Sequence, residues 1–418
     1  MENLYKSINN HDKYIFERSM NEDKITDILK KYKLTSCQKD FINLILNNAR
    51  EGFENQKIFT ISGIAGSGKS YALGVLTKIL NLATQYSFTT GTFTGKASDV
   101  LRNKGVDSYT LHSIMYSPNI NKHGKITSWK IKNDINEDII FVDEFGVLDN
   151  RLIHDLLKMS KIIVFLGDEN QLGAISTDKK IFDYKLEEYI DLRMTTIVRQ
   201  EEGNPIVHYA NQISDNKMPK TGLRIKNDKG AFATFSSKDV DMIEKAKNYC
   251  DLIVVGTNKM RAKLNEEIRD KKGYTKLVEK GEVMMLLRNC KVTGTFNGQT
   301  ITILDTGELF EDEYGFKCIN VNSDIGEVKI SLDVLFDDNY DFNLEVYKNK
   351  CLLDDNYIPP LFIRHGTVVT AYKAQGTTCE SVLVYTNDMN FMKSKKDGFR
   401  KSVYSAVTRA SKNCFIVL

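Results

Sequence analysis

Ile58-Phe59-Thr60-Ile61-Ser62-Gly63-Ile64-Ala65-Gly66-Ser67-Gly68-Lys69-Ser70 is the stretch whose reading decides the fold. An apolar run ending in G-x-x-x-x-G-K-S predicts a short buried strand, a tight loop, and a helix from about Tyr71 to Asn81. Gly63, Gly66, Ser67 and Gly68 let the backbone curl until successive N–H groups face one anion, and the helix N-terminus adds its positive end. Lys69 is spaced to reach the β- and γ-phosphates of a nucleotide, and the Ser70 hydroxyl to hold Mg2+. The alternative is a Gly-rich turn before an ordinary helix. It does not account for strand, loop, Lys-Ser and helix standing together.

Bulk properties bound the rest. The 418 residues suffice for about two to four domains. No apolar run approaches the roughly 18–20 residues of a membrane span, and Met1–Lys13 carries Glu2 and Asp12 without an apolar core, so neither a membrane segment nor a signal peptide is expected. Seven cysteines lie scattered with no C-x-x-C pair, which points to a reducing cytosol and against zinc or a disulfide framework. Net charge is +3, but Asp305 to Asp355 holds fourteen acids and four lysines, so the remainder is near +13. A polyanion suits that remainder, and the acidic segment would avoid it or touch it only locally.

Residues 1–33 are polar, with weak helical spacing in Ile25, Ile28, Leu29 and Tyr32. They read as short helices lying on the main body, or alternatively as a partner-binding arm. Ser36 is placed to cap a helix that buries Phe41, Leu44 and Ile45. Gln38 stands about 25 residues before the phosphate loop. Its amide can pair with an adenine edge, or simply be solvated. Phe88–Ala97 is a strand running into Gly and a helix, and Ser108–Ser113 starts another. Thr94, Lys96 and His112 at these strand ends suit phosphate and sugar contacts, or plain helix caps. Residues 114–138 read as a hairpin inserted in this domain. It carries Trp129, which either stacks on a base or packs in the core.

Asp138–Glu144 is an apolar strand ending in two carboxylates, at the edge where α/β sites lie. Asp143 is expected to bind Mg2+, and Glu144 to deprotonate the attacking water. Ile162–Leu172 repeats the plan, and Gln171 can touch the γ-phosphate or that water. The second half has no phosphate loop. It has a parallel-type strand at Leu252–Val255, strands at Gly281–Leu287 and Gly298–Leu304 that open a small β unit continuing to about Phe362, and returns to α/β chemistry at Val368–Thr377 and Ser402–Ala410. Arg199 and Arg409 are the candidate guanidinium groups for a transferring phosphoryl group.

Taken in order, Gln38; Gly63–Ser70; Thr94–Ala97; Thr110–His112; Asp143-Glu144; Gly167–Leu172; Arg199-Gln200; Thr370–Thr377; and Tyr404–Ala410 resemble the motifs of superfamily 1 helicases. The T-G-K-A, G-D-x-x-Q-L and x-A-x-T-R-A forms are similar to the RecD-like, superfamily 1B branch, with size and the N-G-Q strand resembling its Dda-like phage members. The resemblance covers about residues 34–418. It implies an α/β chain with two RecA-like P-loop domains, a β-hairpin insertion in the first and a small SH3-like β insertion in the second. On this basis, domain one is 34–199, domain two is 200–300 plus 366–418, and the acidic insertion is 301–365. It further implies ATP and Mg2+ as cofactors, with ATP clasped between the domains by Lys69, Gln171, Arg199, Arg409, Gln375 and Gly376. DNA contacts are implied for Thr370, Tyr372 and Lys373. Movement is expected 5′ to 3′ on single-stranded DNA and at single/double-strand junctions. A monomer is expected in bacterial or phage-infected cytoplasm, in replication, recombination or repair, with a replication or single-strand-binding protein as partner.

Three departures stand out. Gly146 replaces the Ser of D-E-x-S-M, Gly173 and Ala174 replace a Pro pair, and Tyr372 replaces a His. None removes a group needed to hydrolyse ATP. Two other functions fit the same residues. One is a DNA-stimulated translocase that displaces bound proteins, which a streptavidin-block assay separates from strand displacement. The other is a nucleotide-switched binding protein, which steady-state ATPase with and without single strands would separate.

Overall fold

The run Ile58–Gly63 is buried at every residue and forms strand β1 in the interior of a six-stranded sheet, as a continuous apolar run requires. A computed structural model of the chain describes residues 18–120, 126–132, 135–159, 161–173, 184–198, 202–288, 290, 293, 295, 297–313, 315–332, 360–394 and 397–418. The chain divides into two compact units, Met1–Asn216 and Lys217–Leu418. Among the described residues no helix is long and apolar enough to cross a membrane.

In the first unit helix α1 (Glu22–Lys30) is capped by Asn21, and α2 (Ser36–Arg50) by Thr35 rather than Ser36. Helix α3 (Lys69–Ala83) follows β1, β2 (Phe88–Thr92) leads into α4 (Gly95–Asn103), and β3 (Tyr109–Thr110) into α5 (Leu111–Met115). Strands β4 (Tyr116–Ile120) and β5 (Ile126–Ile131) form a separate antiparallel hairpin, whose tip at 121–125 is outside the described residues. Then come β6 (Ile139–Val142), α6 (Asn150–Leu157), β7 (Ile162–Gly167), β8 (Leu192–Met194) and α7 (Pro205–Ser214).

The sheet runs β3-β2-β6-β7-β1-β8 with every pair parallel. Alternation along β1 sends Phe59 and Ile61 into a core with Ile42, Ile45, Leu73 and Leu76. Ile58 goes to the other face, into a core with Ile140, Val142, Leu152 and Leu156. Each such side chain contributes about 1.5–3 kcal/mol on full burial, so both faces are covered. Register then fixes the site. Ser62 pairs with Gly167 and Phe165 with Val142, so the turns after β1, β6 and β7 emerge at one edge.

Residues 18–33 are built into this unit. Met20 bridges to Thr84, the Asn21 N–H donates to Ala83 O at 2.8 Å, and Ile25 and Ile28 enter the core; residues 1–17 are outside the described set. The hairpin starts at Tyr116, two residues later than expected, because Ile114 and Met115 are buried in α5. The first unit runs to Asn216 and so includes α7 with its buried Ile206, Ala210 and Ile213.

In the second unit β9 (Arg224–Asn227), β10 (Gly230–Phe235), α8 (Val240–Tyr249), β11 (Leu252–Val255) and α9 (Asn258–Lys271) precede a closed five-stranded barrel. The barrel comprises β12 (Val283–Leu286), β13 (Thr300–Glu311), β14 (Lys317–Ser323), β15 (Gly326–Ser331) and β16 (Leu361–His365). β12, within the strand expected over 281–287, pairs antiparallel with both β13 and β16 and closes the barrel. Residues 333–359, which hold much of the acidic segment, are outside the described set. Strands β17 (Val368–Thr370), β18 (Cys379–Tyr385) and β19 (Ala410–Val417) with helix α10 (Gly398–Val407) complete a sheet ordered β17-β11-β18-β19-β10-β9, antiparallel only at the β9 edge.

Candidate nucleotide site and nucleic-acid surface

The loop after β1 is held by the absence of side chains. A Cβ on Gly63 would lie 2.7 Å from both Lys69 Cγ and Ser67 Oγ, and Gly66 and Gly68 have φ of 78° and 73°. Gly68 caps α3 with no side-chain hydrogen bond, which leaves first-turn N–H groups uncapped by the protein. Such a terminus accepts an anion. The Lys69 ammonium rests on the loop itself, donating to Gly63 O and, at 3.4 Å, to Ile64 O. Lys69 and Ser70 are both half-buried.

Asp143 and Glu144 leave β6 at the same sheet edge. Loss of solvent, then the charge of Glu144, push the Asp143 carboxyl up to about 6, against the pull of Lys69. Glu144 adopts the left-handed region, φ 59° and ψ 52°, which a residue with a Cβ enters at about 1 kcal/mol or more. Phe145 follows in a 3-10 turn and lies against Gly167. A Cβ on Gly167 would come within 2.5 Å of the Phe145 ring, so this glycine ties the exit of β6 to that of β7. Gln171 is half-buried in the turn after β7, its N–H donating to Asp168 O at 3.1 Å. Among the described residues no three His, Cys, Asp or Glu side chains gather as a metal cluster. One hydroxyl at Ser70 and one under-neutralised carboxyl at Asp143 therefore fit a cation completed by phosphate and water rather than a protein cage.

Several supports are silent in the sequence. Arg193 grips Glu169 through Nε and Nη2 at 2.8 and 3.1 Å, and the Glu169 N–H donates to Ser62 Oγ at 3.2 Å. These bonds brace the turn that carries Gln171. The end of β8 and the segment after it clamp the phosphate loop, with Ile64 N–H on Met194 O at 3.2 Å and Val198 N–H on Gly66 O at 2.9 Å. Arg199 and Gln200 come next in the chain and are outside the described residues. Cys37 Sγ meets Thr196 Oγ1 at 3.2 Å, and hydrogen bonding chiefly from Thr196 draws its thiol down to about 7.

Gln38 does not stand in the open. Its side-chain Nε2 donates to Ser67 O at 3.0 Å and its Oε1 accepts from Thr35 N–H at 2.9 Å, which corrects the picture of a solvated or base-facing amide.

Thr94 and Thr110 are helix caps, accepting from Ala97 N–H at 3.2 Å and Ser113 N–H at 3.3 Å. Lys96 lies in the first turn of α4, its side chain outside the described set. His112 is exposed, 5.0 Å from the Tyr116 ring and 6.5 Å from that of Trp129. Trp129 is 50% exposed, so core packing is not its role. Phe93 and Tyr109, 42% and 48% exposed, stand beside the paired Thr92 and Thr110 and were not singled out from sequence. Exposed aromatics between paired strand ends were the signal available. In the second unit Thr370 ends β17 and starts a tight turn, with Ala374 N–H on Thr370 O at 2.9 Å. Tyr372 and Gln375 are half-buried, Lys373 is exposed, and Gly376 has φ 71°. Although the residue as a whole is solvent-accessible, loss of solvent around the ammonium, then the charge of Arg364, lowers the Lys373 pKa.

Arg409 is 5% exposed and folded back on its own unit, donating from Nε to Ser405 O at 3.0 Å, from Nη1 to Thr377 O at 3.4 Å and from Nη2 to Thr408 Oγ1 at 3.2 Å. A guanidinium at a helix C-terminus satisfies carbonyls that have no intrahelical partner, which is why it turns inward.

Residues 38–237 match the family described as an AAA domain. Among solved structures the chain is similar to a Pif1 helicase described in work on DNA unwinding at forked dsDNA by two coordinating Pif1 helicases, with TM-score 0.51, 15% identity and 92% of each chain covered. It is also similar to the Pif1 helicase of Candida albicans, with TM-score 0.50, 14% identity, and 92% of this chain and 94% of that chain covered. At such identity the likeness is one of architecture, and the chain shares the mixed α/β, parallel-sheet fold of the Pif1 helicases.

Proposed function

We propose that the chain is an ATP-dependent DNA helicase of the superfamily 1B type, moving 5′ to 3′ on single-stranded DNA and opening the duplex ahead. One observation carries this reading. Lys69 on the glycine loop and the acids Asp143 and Glu144 leave strands of one parallel sheet at one edge, close enough that Lys69 pulls on the Asp143 carboxyl. Uncapped N–H groups of α3 and Lys69 would hold the phosphates, with Ser70 and Asp143 holding Mg2+, which would supply positive charge to the transferring phosphoryl group. Glu144 takes the proton of the attacking water as its oxygen bonds to the γ-phosphorus and the bond to the ADP oxygen breaks. Gln171 orients that water.

Exposed Phe93, Tyr109, His112 and Trp129 would stack on bases, while Thr94, Lys96, Thr370, Tyr372 and Lys373 would contact phosphates. Such contacts are sequence-tolerant and salt-sensitive. Forked dsDNA in the description of the Pif1 relative supports a junction as substrate. We read the barrel as the SH3-like insertion of a Dda-like member, and the chain as a monomer acting in replication, recombination or repair. Tailed duplexes test the proposal: with ATP, a 5′-tailed duplex is opened and a 3′-tailed one is not. Strand displacement from neither, despite DNA-stimulated ATPase, would leave a translocase that only clears proteins.

A further inference from the structure

Gln38 is 1% exposed, and its two side-chain bonds fix its amide in one orientation. The Thr35 N–H can only donate and the Ser67 carbonyl can only accept, so Oε1 and Nε2 cannot be exchanged. The Oε1 bond is half of a capping box, completed by the Gln38 N–H on Thr35 Oγ1 at 3.3 Å. A helix cap at one end thus aims a donor at the other. The helix that carries it is anchored by Phe41, Ile42, Ile45 and Leu46, all buried.

The carbonyl that receives this donor belongs to the peptide joining Ser67 to Gly68. In a trans peptide C=O and N–H point in opposite directions, and this chain has no cis peptide among its described residues. Holding Ser67 O toward α2 therefore turns the Gly68 N–H away from α2. The fit is tight: a Cβ on Gly68 would collide with Gln38 Nε2 and lie 3.0 Å from Val198 Cγ1.

We propose that Gln38 is a positioning residue for the phosphate loop, acting through the Ser67–Gly68 peptide to present the Gly68 N–H to the polyphosphate of a nucleotide. This rests on the nucleotide reading of the loop. It predicts that Gln38 matters to the phosphates whatever base they carry.

Wild type is compared with Gln38→Glu and Gln38→Met by calorimetric binding of Mg2+-ATP and Mg2+-tripolyphosphate, with melting curves alongside. Glu still accepts from Thr35 N–H and keeps the cap, but has no donor for Ser67 O; Met is uncharged and has neither. Both variants should bind ATP and tripolyphosphate about five- to tenfold more weakly, the loss expected for one hydrogen bond. The Glu variant sets a carboxylate oxygen against Ser67 O in a buried site, so its Tm should fall, and the uncharged Met variant separates that repulsion from loss of the donor; in both, KM for ATP should rise more than kcat falls. Unchanged tripolyphosphate binding in both variants, with only ATP weakened, would overturn the proposal and make Gln38 a reader of the base. Wild-type protein that binds neither ligand would instead sink the nucleotide reading itself.

Discussion

The indole of Trp129 stands perpendicular to the His112 imidazole with ring centroids 6.5 Å apart, joining the hairpin to the helix that follows β3. Two residues that sequence reasoning suggested separately for nucleic-acid contact thus share one exposed surface. The hairpin is anchored beneath them, where Tyr116 OH donates to Asp155 at 2.6 Å.

Trp129→Ala removes a half-exposed ring, so its Tm should stay at the wild-type value. Stacking on one base is worth about 1–3 kcal/mol. Affinity for single-stranded oligonucleotide, read by fluorescence anisotropy, should fall accordingly by about five- to a hundredfold. Unchanged affinity would remove the hairpin from the DNA path.

Glu144→Gln keeps the shape of the side chain and removes the base. ATP should still bind, and turnover should drop by roughly 10²–10⁴. Wild-type turnover would mean that another group takes the proton.

Gly146 lies in the 3-10 turn after β6, but the backbone does not require glycine there. It is absent from the positive-φ glycines, and a Cβ would lie at ordinary contact, 3.5 Å from Leu172 O. Gly146→Ser should therefore raise stability by about 0.4–1 kcal/mol through the unfolded chain. A lower Tm would reveal crowding between the turns after β6 and β7.

Asp138, 4% exposed, accepts from Arg18 Nη2 at 3.0 Å and from Ser87 N–H and Oγ at 3.0 and 3.1 Å. Burial pushes its carboxyl up, but Arg18 and Ser87 overcome this and leave the pKa below the usual value. A pKa lowered by folding stabilises above the unfolded value of about 3.9 and loses that contribution as pH falls through the folded one. Asp138→Asn should cost about 2 kcal/mol at pH 7, with the gap to wild type narrowing near pH 3. An equal deficit at both pH values, measured by urea unfolding, would contradict this.

How much of this was legible depended on how local each signal is. Gly63 to Ser70 and Asp143-Glu144 encode their chemistry within one turn, so their placement at strand ends could be read directly. The bond from Gln38 to Ser67 spans 29 residues and the closure of β12 against β16 about eighty, and neither leaves a mark in composition or periodicity. Arg409 reads as a free cation because spacing cannot reveal that Ser405 and Thr377 offer it carbonyls. The grip of Arg193 on Glu169 was missed for the same reason: β8 had no pattern strong enough to place it beside β1.

The central claim is that the loop beginning at Gly63 holds the phosphates of ATP through Lys69. DNA-stimulated ATPase of Lys69→Ala tests it most directly, with circular dichroism to confirm the fold. The account predicts a folded protein with ATPase at background, with or without single-stranded DNA. Hydrolysis near the wild-type rate in that variant would contradict it.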